Sequence, residues 1–341
     1  MMMKRALMAI ATAALLGATI AAQKVNITGA GATFPDPIYE KWFSEYNKLH
    51  PEVQINYQPN GSGGGVSAIT QQTVFFGASD MPMTDDALSK APGHIFHFPT
   101  VLGGVVPIYN IPGVTAELKF TGPLIADIFL GKITKWNDKA IAAVNSGVSL
   151  PATDIAVVHR SDGSGTSFIW TDYLSKVSPE WKQKVGANSA VSWPTGLGGA
   201  KNDGVAALVK QTPGGFGYVE LIYAMQNNIA SGPVENAAGK FVKASLESVT
   251  AAAAGAAANM PPDFRVSITN APGAATYPIS SFTWLLLYEK PSDKALAKTM
   301  TEFVKWALGD GQKLCAGLGY APLPTNVVKL ELAQLAKIAL Q

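Results

Sequence analysis

Residues 160–168 read R-S-D-G-S-G-T-S-F, a stretch rich in groups that can hold an anion. Arg160 brings a fixed charge and a planar fork of N–H donors, and Ser164, Thr166 and Ser167 bring hydroxyls. Gly163 and Gly165 let the backbone turn tightly and approach a ligand. Ahead of it, I-A-V-V-H at 155–159 is a short apolar run of the kind a buried strand makes. Behind it, F-I-W-T-D-Y-L has the apolar spacing of a helix. A strand, a glycine turn and a helix start leave backbone N–H groups pointing outward at the positive helix end, which suits an oxyanion. The plainer role for Ser164 or Asp162 is that of a helix cap.

The same design recurs twice. Residues 28–34 and 60–65 are also rich in Gly, Ser and Thr and stand between a strand pattern and a helix pattern. None of the three loops has the Gly-Lys-Ser/Thr ending of a nucleotide phosphate loop. G-A-G-A-T-F has Phe34 where a dinucleotide fingerprint needs a third small residue. A serine hydrolase is the enzyme alternative, yet neither Ser62 nor Ser164 lies in G-x-S-x-G. His94 and His97 have a spacing that imitates a metal pair but flank an apolar run without cysteine or carboxylate support, so no metal is expected. His159 reads as a packed or rim residue.

The elements that would position these loops alternate. Val25 and Ile27 begin a strand. Ile38, Trp42, Phe43, Tyr46 and Leu49 share one helix face. Val53, Ile55 and Tyr57 alternate as a second strand, and 73–82 form a third. Residues 95–109 are almost wholly apolar and read as buried. Two short helices surround 131–138, and further helices are expected at 205–211 and 295–308, with a strand at 281–288. The alanine-rich run 248–259 reads as a solvent-facing helix. Alternating strands and helices imply an α/β fold with mostly parallel sheets, with ligands beyond the carboxyl ends of strands.

The chain has 341 residues, 48% hydrophobic and 15% charged, enough for one large core or two lobes. Residues 1–22 have the pattern of a cleavable leader: Lys4 and Arg5, then an apolar stretch too short to span a bilayer, then small residues near Ala22. Removing Lys4 and Arg5 leaves 24 basic against 24 acidic side chains. With no basic patch, nucleic-acid binding has no electrostatic support. The single cysteine, Cys315, cannot form an internal disulfide.

T-G-A-G-A-T-F-P, F-G-A-S-D, F-P-T-V-L-G-G-V-V, L-G-K-I-T-K-W-N-D, D-G-S-G-T-S-F, K-N-D-G and G-Y-V-E occur in this order over nearly the whole chain. Together they resemble the periplasmic phosphate-binding proteins of bacterial high-affinity phosphate ABC transporters. The resemblance implies a two-lobed periplasmic binding protein fold (type II-like), with hinged lobes and the ligand in the cleft. Lobe one would be discontinuous, 23–107 with 279–341, and lobe two 108–278, with crossings near 106–110 and 277–281. By motif, phosphate would contact Thr33, the N–H of Phe34, Ser62 and Asp80 from lobe one, and Arg160, Ser164, Gly165 and Thr166 from lobe two. Asp162 would support Arg160. Gly63 stands where relatives often carry a second serine. The expected partners are inorganic phosphate and the membrane permease, in the periplasm, with the protein a monomer that needs no cofactor. The alternatives are a secreted serine-dependent phosphoesterase or a carrier of another oxyanion such as sulfate.

Overall fold

A computed structural model describes residues 24–340; the leader read at 1–22 lies outside them. The first part alternates β1 (Val25–Gly31), α1 (Asp36–Leu49), β2 (Val53–Gln58), α2 (Ser62–Thr70), β3 (Phe76–Ser79), α3 (Asp85–Ser89) and β4 (Ile95–Asn110). Next come α4 (Gly122–Phe129), α5 (Lys139–Val144), β5 (Ala156–Arg160), α6 (Gly165–Val177), α7 (Pro179–Lys184), β6 (Leu197–Gly199), α8 (Lys201–Gln211), β7 (Gly215–Glu220) and α9 (Leu221–Gln226). Short strands β8 (Ala230–Ser231), β9 (Val234–Glu235) and β10 (Phe241–Val242) lead to α10 (Leu246–Ala258), β11 (Ser280–Tyr288), α11 (Lys294–Leu308) and α12 (Thr325–Leu335).

The main sheet runs β2-β1-β3-β11-β4-β7-β5-β6, with β8 also on β4. It holds two parallel cores. In one, β1 pairs in parallel with β2 and β3; in the other, β5 pairs in parallel with β6 and β7. β4 joins them. Its 16 residues are all buried except Asn110, which explains the unbroken apolar run, since a strand covered on both faces does not alternate. Ile95 to Gly104 pair antiparallel with β11, and Val105 to Asn110 pair antiparallel with β7. The strand therefore passes from one half of the molecule to the other between Gly104 and Val105. The β4–β11 register slips at Thr283/Trp284, a bulge beside the cleft.

The chain end returns to the first half. Trp42 Nε1 donates to the Gly311 carbonyl at 2.8 Å, and the Tyr320 hydroxyl donates to the Phe34 carbonyl at 2.6 Å. In α1 the residues Ile38, Trp42, Phe43 and Tyr46 face the core as their spacing predicts, but Leu49 is 61% exposed. Leu49 is the last residue of the helix, before the cap at His50, and the covered stripe ends at Tyr46. The run 73–82 is extended in a sheet only over β3. The alanine-rich helix is corrected more fully. Val249, Ala252, Ala253 and Ala257 of α10 are buried, and the small side chains let this helix sit close against β4 and β11. Among the described residues no helix is long and apolar enough to cross a membrane.

Glu331 of α12 is fully buried, and neither carboxylate oxygen has a hydrogen-bond partner. Burial pushes its pKa well above the ordinary carboxyl value. The folded state therefore keeps a proton that the unfolded chain releases, and stability falls as pH rises above the unfolded pKa. Glu331→Leu is expected to raise the melting temperature most at alkaline pH, by the equivalent of about 1–3 kcal/mol, with the gain shrinking toward pH 4. Calorimetric melts of both proteins across that range check this; a gain that does not vary with pH would mean that folding leaves the Glu331 pKa at its unfolded value.

Candidate functional site

Three loops meet at the seam between the two halves. The first follows β1. Thr33 and Phe34 are buried there, the Thr33 carbonyl accepting from the Tyr223 hydroxyl at 2.5 Å. The second loop opens α2. Ser62 is its first residue, and Ser62 Oγ accepts from the Asp80 N–H at 3.1 Å and from the Gly165 N–H at 3.0 Å. The third follows β5 and opens α6, with Ser164 as cap: its Oγ accepts from the Ser167 N–H at 3.1 Å. A second tie crosses the seam from Gly63 N–H to the Gly163 carbonyl at 2.9 Å. A Cβ at position 63 would stand 3.2 Å from Gly163 Cα, so the glycine there lets the two loops touch.

Arg160 ends β5 with its side chain only 1% exposed. Asp162 grips one edge of the guanidinium with both oxygens, Oδ1 accepting from Nε at 2.8 Å and Oδ2 from Nη2 at 2.5 Å. Asp162 thus orients Arg160 and is not the helix cap. Burial opposes its ionisation, but the Arg160 hydrogen bonds and charge and the Lys201 N–H at 3.0 Å outweigh it and hold its pKa below the ordinary value. Arg160 Nη1 is buried with no hydrogen-bond partner.

Asp80 follows β3 and is 1% exposed. Its Oδ1 accepts from the hydroxyl of Thr283 on β11 at 2.8 Å, at the register slip against β4, and its Oδ2 lies 3.4 Å from Ser62 Oγ. Thr84, not Asp80, caps α3. Burial pushes the Asp80 carboxyl up to about 7, against the lowering effects of Thr283, Arg160 and Ser62. A second carboxyl, Glu220 at the end of β7, is fully buried. Its Oε2 accepts from the Ile222 N–H at 2.9 Å, its Oε1 has no partner, and burial drives its pKa well above the ordinary value.

Thr33, Phe34, Ser62, Asp80, Arg160, Ser164, Gly165 and Thr166 are all buried along this one seam. Sequence reasoning passed over Asn202, which is fully buried in α8. Its Nδ2 lies 2.9 Å from Thr33 Oγ1 and 3.3 Å from Thr166 Oγ1. The signal available was K-N-D-G behind a glycine turn. For Glu220 it was G-Y-V-E, whose last residue it is; Thr283 and Tyr223 gave none, because each reaches the seam from a distant element.

The histidines separate. His97 Nε2 accepts from the Met83 N–H at 3.0 Å inside the core, and burial lowers its pKa to about 3. His94 is exposed and lies 3.2 Å from Glu289. His159 is half-buried and stacks on Trp193 with ring centroids 4.8 Å apart, a packed rim residue.

Residues 17–310 match the model of the PBP superfamily domain. The chain is 48% identical over 308 residues to the phosphate-binding protein PstS of Xylella fastidiosa, covering 90% of this chain and 84% of that one. It is 40% identical over 331 residues to the PstS of Methanocaldococcus jannaschii, covering 90% and 85%. In fold it is similar to the phosphate binding protein of Stenotrophomonas maltophilia, with a TM-score of 0.69 at 19% identity over 91% of this chain and 93% of that one. A periplasmic phosphate-binding protein solved with phosphate, PfluDING, gives a TM-score of 0.70 at 20% identity over the same shares, 91% and 93%.

Gly165 has no room for a side chain. A methyl there would stand 2.6 Å from Asp80 Cβ and closer still to Ser62 Oγ. Gly165→Ala is expected to keep the two halves apart with little change in melting temperature. Small-angle scattering in phosphate buffer checks this through a larger radius of gyration than the parent; equal radii would mean that the loops absorb the methyl.

Proposed function

The chain belongs to the PBP superfamily and, within it, to the family of the phosphate-binding proteins PstS, and we propose that it holds one inorganic phosphate between its lobes and delivers it to the permease of a phosphate ABC transporter. The observation that carries this reading is Arg160 Nη1, a buried cationic donor without a partner, beside hydroxyls and helix-start N–H groups. A charged donor left unpaired in the interior is costly, and an anion relieves that cost. In this reading Thr33, the Phe34 N–H, Ser62 and Asp80 approach the anion from one lobe, 23–107 with 279–341. Arg160, Ser164, the Gly165 N–H and Thr166 approach it from the other, 108–278. The exchange of partners along β4 between Gly104 and Val105, just ahead of the first boundary, and the start of β11 at Ser280, just past the second, support a division of this kind. The ligand favours closure because only the closed state offers both sets of contacts.

The protein acts as a carrier and not as an esterase. The Ser62 oxygen accepts from two backbone N–H groups, and the Ser164 oxygen caps α6. Among the described residues neither hydroxyl is bonded to a histidine. The protein works in the periplasm as a monomer, after export through the leader at 1–22. Calorimetry with inorganic phosphate is expected to show one site per chain, and an assay with a chromogenic phosphate ester is expected to release no product. Arg160→Ala is expected to weaken phosphate binding by about 2–5 kcal/mol; unchanged affinity would remove Arg160 from the site.

Asp80 supplies selectivity. An ionised carboxylate only accepts, so a ligand beside it has to bring a proton. Phosphate near neutral pH has an O–H to donate and sulfate has none. A folded-state pKa of about 7 adds a sign. Below that value Asp80 gains a proton and can donate to sulfate; above it, sulfate meets a bare carboxylate. Preference for phosphate is therefore expected to be strongest above pH 7 and to narrow at acidic pH. Asp80→Asn is expected to narrow it at every pH, because its amide donates to either anion. Competition titrations of the parent and Asp80→Asn decide the point, and equal sulfate rejection by both across the range would take Asp80 out of the mechanism.

A further inference from the structure

We propose that Asn202 sets the direction of the hydrogen bonds that the cleft offers its anion, acting through Thr33 and Thr166. Asn202 is fully buried, and its carboxamide orientation follows from its neighbours. Oδ1 accepts from the Glu220 backbone N–H at 3.2 Å. A backbone N–H can only donate, so the amide nitrogen must point the other way. There it meets Thr33 Oγ1 at 2.9 Å and Thr166 Oγ1 at 3.3 Å, one hydroxyl from each side of the seam. An amide NH2 has two donors and no acceptor, so both threonine oxygens are recipients. Each hydroxyl then keeps its own hydrogen free to donate. A threonine hydroxyl left to rotate can face a ligand with a lone pair as readily as with its hydrogen. With Asn202 behind them, these two face it as donors.

This matters for an anion whose exposed oxygens are mostly acceptors. Two hydroxyls fixed as donors match a doubly charged, singly protonated oxyanion better than one carrying an extra proton. Asn202 is thus a positioning residue. It also ties the two lobes through a single amide. Glu220 supports it through the backbone, and the Glu220 side chain caps α9, which holds that N–H in place. The inference rests on the assignment of Thr33 and Thr166 to the phosphate site made above.

Asn202→Asp replaces the two donors by acceptors. The threonine hydrogens would then turn toward the new carboxylate, and lone pairs would face the anion. Phosphate binding measured by calorimetry is expected to fall about 100-fold or more relative to the parent near pH 8, and about tenfold or less near pH 5.5, where the ligand is the diprotonated monoanion. Loss by the same factor at both pH values would overturn the proposal. Asn202→Ala adds no charge and serves as a second route should Asn202→Asp fold poorly, which thermal melts would report. It is expected to weaken binding about tenfold, and to add little to a Thr33→Val/Thr166→Val double variant, since all act through the same two hydroxyls. Full additivity would show that Asn202 acts only as packing at the seam. If Thr33→Val and Thr166→Val bind phosphate like the parent, the site assignment itself fails, which is distinct from failure of Asn202 alone.

Discussion

A guanidinium taken out of water has to be paired, and Arg160 is paired on two of its three nitrogens. Much of the seam follows from that. Asp162 neutralises the charge and fixes the plane of the fork, which leaves Nη1 directed by the geometry of the pair. Asp162 is in turn held by the Lys201 N–H. To present that N–H, Lys201 adopts a left-handed backbone conformation with φ of 63°, which is uncommon for a residue with a side chain. Such a residue costs of order 1–3 kcal/mol and persists only where its surroundings enforce it. The same turn starts α8 and puts Asn202 next in line, against Thr33 and Thr166. One ion pair thus sets the turn, the helix start and the amide that spans the seam.

The pocket also keeps its own negative charge low. Asp162 is cancelled by Arg160. Asp80 and Glu220 are both shifted toward their neutral forms by burial. A cleft with several full carboxylates would oppose any anion. One whose acids lean toward protonation can admit an anion while still using a carboxyl to recognise a proton. In the proposed role, specificity would come from how many donors and acceptors face the ligand, since an unmatched polar group in a dry site is penalised heavily.

Local chemistry explains what the sequence revealed and what it concealed. The three glycine turns are contiguous, so their strand-turn-helix order and their hydroxyls could be read directly. The apolar run at 95–109 could be read because β4 is buried on both faces. The exposed end of the α1 stripe at Leu49 and the burial of the alanine-rich helix have a related cause. Periodicity says which residues share a face, but only the partner decides where that face ends or whether it is covered. α10 gains its cover from β4 and β11, both far away in sequence. The unread seam residues share this feature. Thr283 reaches Asp80 across 203 positions, and Tyr223 reaches Thr33 across 190. No local pattern marks such residues, because their types are ordinary in a strand or helix.

The closed seam raises one more point about affinity. Gly165 N–H, a helix-start donor suited to an anion, is here spent on Ser62 Oγ across the seam. Gly63 N–H is likewise spent on Gly163. The first of these bonds uses groups that a ligand would claim, whereas the second lies between backbones and can persist when the cleft is filled. Pairing of the first kind competes with the ligand for the same donor. Pairing of the second kind ties the two loops without using a group that a ligand would claim. An apparent affinity falls by the fraction of molecules unable to accept the ligand. A carrier that must both capture and release its cargo therefore needs cross-seam bonds of the first kind to be few, and Ser62–Gly165 is one weak neutral contact set against a charge-assisted set around Arg160 and Asp80.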